Sequence, residues 1–262
     1  MPTPTRNILI LAHPGHELRI HHWLELHRPT VYLLTDGSGG KLSSRTHYSR
    51  AVIENAGGLP GAVFGTITDK AWYSAILGGQ SALFTTMLNA ILDDIPLDRP
   101  VEIISDALDG YNPMHDMAWA FGKMVQHRLV ASAISARHLC SAATTNVTGK
   151  TEVVLQLDSA ARSRKIAAVE KYTPLAEEAQ RIFWPATRPL SIRKHFFRKI
   201  LIGRMTIRRI GKLSDKAASK AAFTPSASPM TDISVRSGSG CSLKPVPVHP
   251  LLWANSSNSR RK

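Results

Sequence analysis

The chain has 262 residues, 43% of them hydrophobic and 20% charged, enough for one domain of up to about 200 residues with a full core, plus an extension. Its net charge of +14 would suggest a nucleic-acid partner if it were evenly spread, but residues 1–187 balance 17 Lys/Arg against 17 Asp/Glu, and residues 188–262 set 16 Lys/Arg against Asp215 and Asp232. The excess is therefore no guide to the first 187 residues, and the two cysteines, Cys140 and Cys241, exclude a disulfide framework or a thiolate zinc site and fit a reducing compartment such as the cytoplasm.

No charged region followed by a long apolar stretch opens the chain, so no signal peptide is expected. Residues 7–12, with the run Ile8-Leu9-Ile10-Leu11-Ala12, read as a buried parallel strand. His13-Pro14-Gly15-His16-Glu17 follows at the carboxyl end, where open α/β sheets place their chemistry. A short helix is expected from Leu18 to His27, stopped before Pro29, and a second strand over residues 31–35. The loop Asp36-Gly37-Ser38-Gly39-Gly40-Lys41 fails the phosphate-loop pattern, because Thr35 takes the first glycine position and Leu42 follows the lysine; it reads as a glycine-rich turn near a substrate. Ser49 to Ala56 suits a helix that Gly57-Gly58-Leu59-Pro60-Gly61 ends. Residues 71–92 carry no charge, yet Gly78, Gly79, Gln80, Ser81, Thr85, Thr86 and Asn89 interrupt them, which favours a buried or amphipathic helix over a transmembrane span.

Residues 101–105 form a further strand candidate, Asn112-Pro113 begins a turn, and Met114 to Ala136 reads as a long helix. A strand over residues 153–157 precedes Asp158-Ser159, which can cap a helix running to about Phe183 with a kink at Pro174. This rhythm predicts an α/β fold, a Rossmann-like, mostly parallel sheet with helices on both faces. After Trp184-Pro185 the composition changes. Residues 191–212 mix Phe196, Phe197, Ile200, Leu201, Ile202 and Met205 with basic side chains that do not sort into two helical faces, and residues 224–262 are rich in Ser, Pro and Gly. The division expected is a domain over 1–187 and a basic tail over 188–262 that is partly disordered. For the tail, contact with an anionic membrane surface, contact with nucleic acid and a solvated extension all stay open.

Two imidazoles three residues apart at a strand end can grip one metal ion. A third ligand must come from elsewhere, and His115 is the natural choice, because it follows the strand 101–105 and so lies at the same sheet edge as His13 and His16. Spacing alone also suits ordinary turn or surface histidines, as it does for His21, His22 and His27.

Ala12-His13-Pro14-Gly15-His16-Glu17 resembles the Ala-His-Pro-Asp-Asp-Glu signature of the PIG-L/LmbE-like N-acetylglucosaminyl deacetylase family. Thr35-Asp36-Gly37-Ser38-Gly39 resembles its Thr-x-Gly-Glu-x-Gly segment, Arg50 with Glu54 its Arg-x-x-Glu helix, and Asn112-Pro113-Met114-His115 its His-Pro-Asp-His motif. Lys165, Ala168 and Tyr172 fall in a helix similar to the family's last one, and the similarity spans about residues 6–183. The resemblance implies a zinc ion, Zn2+, held by two histidines and an aspartate, and hydrolysis of an N-acyl group from an amino sugar or glycoconjugate. Carried over, His13 and His115 match the histidine ligands and His16 stands at the aspartate ligand, an exchange zinc tolerates.

The departures from the family lie in proton transfer. Gly15 replaces the family's general base, Asn112 a histidine proposed to stabilise the oxyanion, Met114 the aspartate that orients it, and Ser38 a glutamate. Asn112 keeps an amide that can donate to an oxyanion. A replacement base has to come from Glu17, Asp36, Asp109 or Asp116; Glu17 is nearest but reads first as a structural carboxylate, and Asp116 first as a helix cap. Ser38 and Arg50 are the expected substrate contacts, Arg50 also fitting a plain helix-surface charge. The expectation is a zinc-dependent deacetylase-like hydrolase, with a non-catalytic metal- or sugar-binding relative as the alternative.

Overall fold

A strand whose two faces are both covered needs an apolar side chain at every position, because successive residues point to opposite sides. The first strand, β1 (Arg6–Leu11), meets this condition from Ile8 onward, after the partly buried Arg6 and Asn7. In the computed structural model Ile8 and Ile10 enter one core and Leu9 and Leu11 the other, all of them fully buried. The structure describes residues 4–39, 43–141, 147–175 and 199–207.

Seven strands form one sheet among these residues, in the order β3 (Leu59–Ile67), β2 (Thr30–Thr35), β1, β4 (Val101–Asp106), β5 (Ala136–Ser141), β7 (Lys199–Ile207), β6 (Val147–Gln156). The pairs from β3 to β5 are parallel, and β7 runs antiparallel to both its neighbours. Helices α3 (Asp69–Leu77), α4 (Ser81–Asp93) and α5 (Pro113–Ala131) cover one face, where Trp72, Leu88, Ile91, Phe121 and Val125 pack with Ile8 and Ile10. Helices α1 (His21–His27), α2 (Thr46–Asn55) and α6 (Ser159–Lys171) cover the other, where Trp23, Leu24, Ile53 and Ala161 pack with Leu9 and Leu11. From β1 the chain goes to β2 on one side, and it later returns to β4 on the other. The strand order therefore reverses between β1 and β4, and a crevice opens at their carboxyl ends, the place where such sheets bind ligands.

The Rossmann-like arrangement expected from the sequence is present, and several boundaries differ. The helix expected over 114–136 ends at Ala131. Ala133 adopts φ 60°, and Ala133 N–H and Ile134 N–H bond back to the carbonyls of Val130 and Leu129 at 3.0 and 2.9 Å. This is the helix stop that normally carries glycine, so an alanine hid it and β5 with it. The turn expected at 57–61 runs into β3, an edge strand that tolerates Pro60 and Gly61. The run 71–92 is two helices, α3 and α4, parted at Gly78-Gly79-Gln80; no helix among the described residues is long and apolar enough to cross a membrane. The helix expected from Leu18 divides into a 3-10 turn, His16–Ile20, and α1.

One strand of the sheet, β7, lies beyond residue 187, where the sequence places the division. Ile200 and Ile202, two residues apart and so on one face of β7, are buried in the core on the α1/α2/α6 face, a pair that the surrounding basic residues masked in the sequence. The chain divides instead into Met1–Ile210 and Gly211–Lys262. The second unit, the rest of the basic tail and the expected helix beyond residue 175 lie outside the described residues.

Candidate metal centre

The loop after β1 and the loop after β4 meet in the crevice, and Asp106 ties them together. It is the last residue of β4 and fully buried. Its Oδ2 accepts Ala12 N–H at 2.8 Å and lies 2.8 Å from His16 Nδ1, and its Oδ1 accepts from Arg19. Burial opposes ionisation of this carboxyl, but His16 and the Arg19 guanidinium outweigh it and hold the group well below the usual carboxylate range. Burial, with Arg19 adding to it against the pull of Asp106, pushes His16 down to about 3, so its imidazole is neutral.

The other two imidazoles are held in the same way. His13 Nδ1 lies 3.1 Å from Thr35 Oγ1 and 3.2 Å from Asp69 Oδ1, reaching from β1 to the end of β2 and the start of α3. His115, in the first turn of α5, places Nδ1 2.7 Å from Asp109 Oδ2. Asp109 Oδ1 accepts the N–H groups of Tyr111 and Asn112, and the side chain of Asn112 caps α5 by accepting Met114 N–H at 2.9 Å. Although burial opposes it, these bonds hold the Asp109 carboxyl below its ordinary value; His13 and Gly39 N–H do the same for Asp69. His16 and His115 thus turn Nδ1 to a hydrogen-bonded carboxylate, and His13 turns it to Thr35 Oγ1 with Asp69 beside it, which is how ligand histidines are oriented with Nε2 left for a metal.

The three ring centres are 5.4 Å (His13–His16), 5.5 Å (His13–His115) and 4.9 Å (His16–His115) apart. With zinc–nitrogen bonds of about 2.0–2.1 Å and ring centres about 1.1 Å beyond the nitrogens, three tetrahedral imidazole ligands have centres about 5 Å apart. Charge agrees with spacing. Asp69, Asp106 and Asp109 are buried around the three rings with Arg19 as their nearby cation, acidic surroundings that favour a bound cation. The donor set therefore fits a divalent cation. The nitrogens are not yet gathered: no group of three or more His, Cys, Asp or Glu among the described residues stands in ligand-ready geometry. His13 Nε2 instead lies 3.2 Å from Asn112 Nδ2.

The carboxylates expected as a replacement base each hold a backbone N–H, Glu17 through Oε2 alone. Glu17, fully buried, accepts Gly15 N–H at 2.8 Å; burial lifts its carboxyl to about 7. Gly15 N–H also reaches Ser49 Oγ at 3.1 Å, and Tyr172 Oη is 3.1 Å from that hydroxyl. Glu17 thus shapes the loop between the two histidines. Asp36 accepts Ser38 N–H, and Asp116, expected as a cap, accepts Asp109 and Gly110 N–H while Asn112 does the capping. The position of the family's base is itself filled. Gly15 has φ +102°, and a Cβ there would stand 2.3 Å from Leu175 Cδ1. Ser38 is buried in the loop after β2. Arg50 is half exposed on α2, paired with Glu54 at 3.4 Å and lying over the Phe64 ring, so its contacts are those of a helix-surface charge.

Sequence reasoning brought His13, His16 and His115 together from two loops. It missed Asp69 and Asp106 as the carboxylates behind two of the rings; the buried position of Asp106, directly after an apolar strand, was the available signal. At the level of sequence, no family model and no curated protein matches the chain. Its fold is similar to that of the crystal structure of A40926 pseudoaglycone deacetylase, at 14% identity and a TM-score of 0.55, over 78% of this chain and 98% of that one. It is also similar to a deacetylase triple mutant of the teicoplanin biosynthetic pathway (13% identity, TM-score 0.51, 79% and 100% covered) and to a zinc-inhibited form of teicoplanin deacetylase (12%, 0.50, 79% and 100%). At such identities the likeness is one of architecture: the chain has the α/β fold of these deacetylases, with its three histidines at the crevice between β1 and β4.

Proposed function

We propose that this chain is a metal-dependent hydrolase of the deacetylase type, acting on an N-acylated amino sugar or glycoconjugate. The observation that carries the reading is the trio His13, His16 and His115, each ring backed by a buried carboxylate, at the switch point of a deacetylase-like sheet. His13, His16 and His115 would hold the ion, and zinc is the first candidate because neutral imidazoles suit it. A structural neighbour is described in a zinc-inhibited form, so the activating ion is to be tested among zinc, cobalt and manganese. When bound, the ion supplies Lewis acidity toward an amide carbonyl and acidifies water. The chain's own residues orient and neutralise: Asp69, Asp106 and Asp109 fix the tautomer of each ring, Asn112 offers an amide N–H for an oxygen that gains charge, and Ser38 lines the approach. Residues 1–187 together with β7 would form the hydrolase domain, and the two cysteines suit a cytoplasmic setting.

A second reading is favoured by Gly15. With the base position closed by Leu175 and the neighbouring carboxylates engaged, a cation- or sugar-binding relative without turnover fits the same geometry. Loss of a positioned base removes about 10²–10⁴ in rate, so the hydrolase reading predicts slow but chelator-sensitive turnover. Acetate release from N-acetylated amino sugars, with each metal and with a chelator, separates the two. Release that needs the metal supports the hydrolase; ligand binding without any release supports the binding protein.

A further inference from the structure

His13 Nε2, the atom that would have to meet a cation, has a partner already. Asn112 Nδ2 lies 3.2 Å from it. The orientation of this amide is fixed by the rest of the side chain: Asn112 Oδ1 accepts Met114 N–H at 2.9 Å and the hydroxyl of Tyr73 at 3.2 Å. An oxygen holding two donors cannot exchange places with the nitrogen, so the NH₂ group is the one that faces His13. On the far side of the ring, Asp69 Oδ1 and Thr35 Oγ1 flank Nδ1; with the proton on Nδ1, Nε2 carries a lone pair and accepts from Asn112.

We propose that Asn112 is a lock on the centre, an amide clamped by Tyr73 and the α5 cap that competes with an incoming cation for the His13 lone pair. The proposal rests on the reading of the three histidines as a cation centre. Loading then costs the Asn112–His13 hydrogen bond, and because Asn112 is pinned at two points it cannot swing aside without giving up its cap or its Tyr73 contact. The lock sits on one of three rings whose centres lie 4.9–5.5 Å apart. It also makes the centre a weaker cation trap than its three carboxylate-backed histidines would otherwise be, with Asn112 and Tyr73 setting its affinity.

The test is calorimetric titration of the full chain with Zn2+ and Co2+ alone, comparing wild type with Asn112→Ser and Tyr73→Phe. Serine keeps the helix cap but is too short to reach His13, and Tyr73→Phe loosens the clamp without touching the centre. The lock predicts cation affinity about two- to tenfold higher in Asn112→Ser, the range of one net hydrogen bond, and a smaller gain in Tyr73→Phe. The metal-free His13 ring should also show a shifted Nε2 NMR resonance in Asn112→Ser. Binding by Asn112→Ser where wild type shows none supports it most strongly. Equal or weaker affinity in both variants, with wild type binding, overturns the lock and leaves the cation centre standing. No binding by any of the three overturns both.

Discussion

Replacing Gly15 by alanine tests whether the place of the missing base is closed by packing. Two separate costs are readable. A Cβ at φ +102° puts an L-residue in a backbone region that costs about 1–2 kcal/mol. The same Cβ falls 2.3 Å from Leu175 Cδ1 and 3.3 Å from its Cγ, an overlap that needs the leucine to move, at about 1–3 kcal/mol. Gly15→Ala should therefore lose about 2–5 kcal/mol by urea unfolding. In a Leu175→Ala background the packing cost disappears and only about 1–2 kcal/mol should remain, a coupling that a double-mutant cycle reads directly. A Gly15→Ala protein within about 0.5 kcal/mol of wild type, or an equal loss in both backgrounds, would refute the claim that Leu175 occupies this space. Restoring a carboxylate as Gly15→Asp should accordingly fail to raise acetate release unless Leu175 is also made small.

Asp106→Asn and Asp109→Asn should each lower cation affinity about 10- to 100-fold by titration calorimetry, because each removes the negative charge, and one of the two acceptor oxygens, behind a ring whose Nδ1 it orients; unchanged affinity would break the link between these carboxylates and the centre. Lys165 is buried on α6, its Nζ donating to Arg19 O at 2.9 Å, and burial lowers its pKa to about 7. Between this value and the ordinary lysine range the unfolded chain binds the proton and the folded one does not, so stability rises with pH from about 7 to about 10, by something on the order of 4 kcal/mol. Lys165→Met should flatten that rise in denaturant unfolding followed across the window; an unaltered slope would contradict it. Arg50→Ala should leave ligand binding unchanged and stability within about 0.5 kcal/mol, since its partners are Glu54 and Phe64; a large rise in KM would restore it as a substrate contact.

Where burial on both faces dictates composition, the chain is legible. β1 from Ile8 and β2 from Val31 to Leu34 are continuous apolar runs, which is what strands covered on both faces of a parallel sheet require. The histidine trio was legible because both loops follow strand ends that the topology brings to one edge. β5 was hidden because Arg137 and His138 interrupt its apolar character, although His138 is buried, 2.8 Å from Ser105 and in the space that Gly122 leaves for its ring. β7 was hidden because Ile200 and Ile202 sit in a stretch of sequence rich in Lys and Arg, of which Arg204 is exposed in the strand. The roles of Asp69 and Asp116 could not be read from spacing, since both act through contacts that only the folded loops create. Glu17 was ambiguous in sequence, and its bond to Gly15 N–H places it in the loop's own structure.

One measurement bears most directly on the centre: metal content of the purified, zinc-reconstituted protein by plasma spectrometry, beside His16→Ala and His115→Ala, with circular dichroism to confirm that all three are folded. Three imidazoles from two loops around one ion predict about one zinc per wild-type chain and its loss in both variants. Undiminished zinc in either folded variant would contradict a shared site.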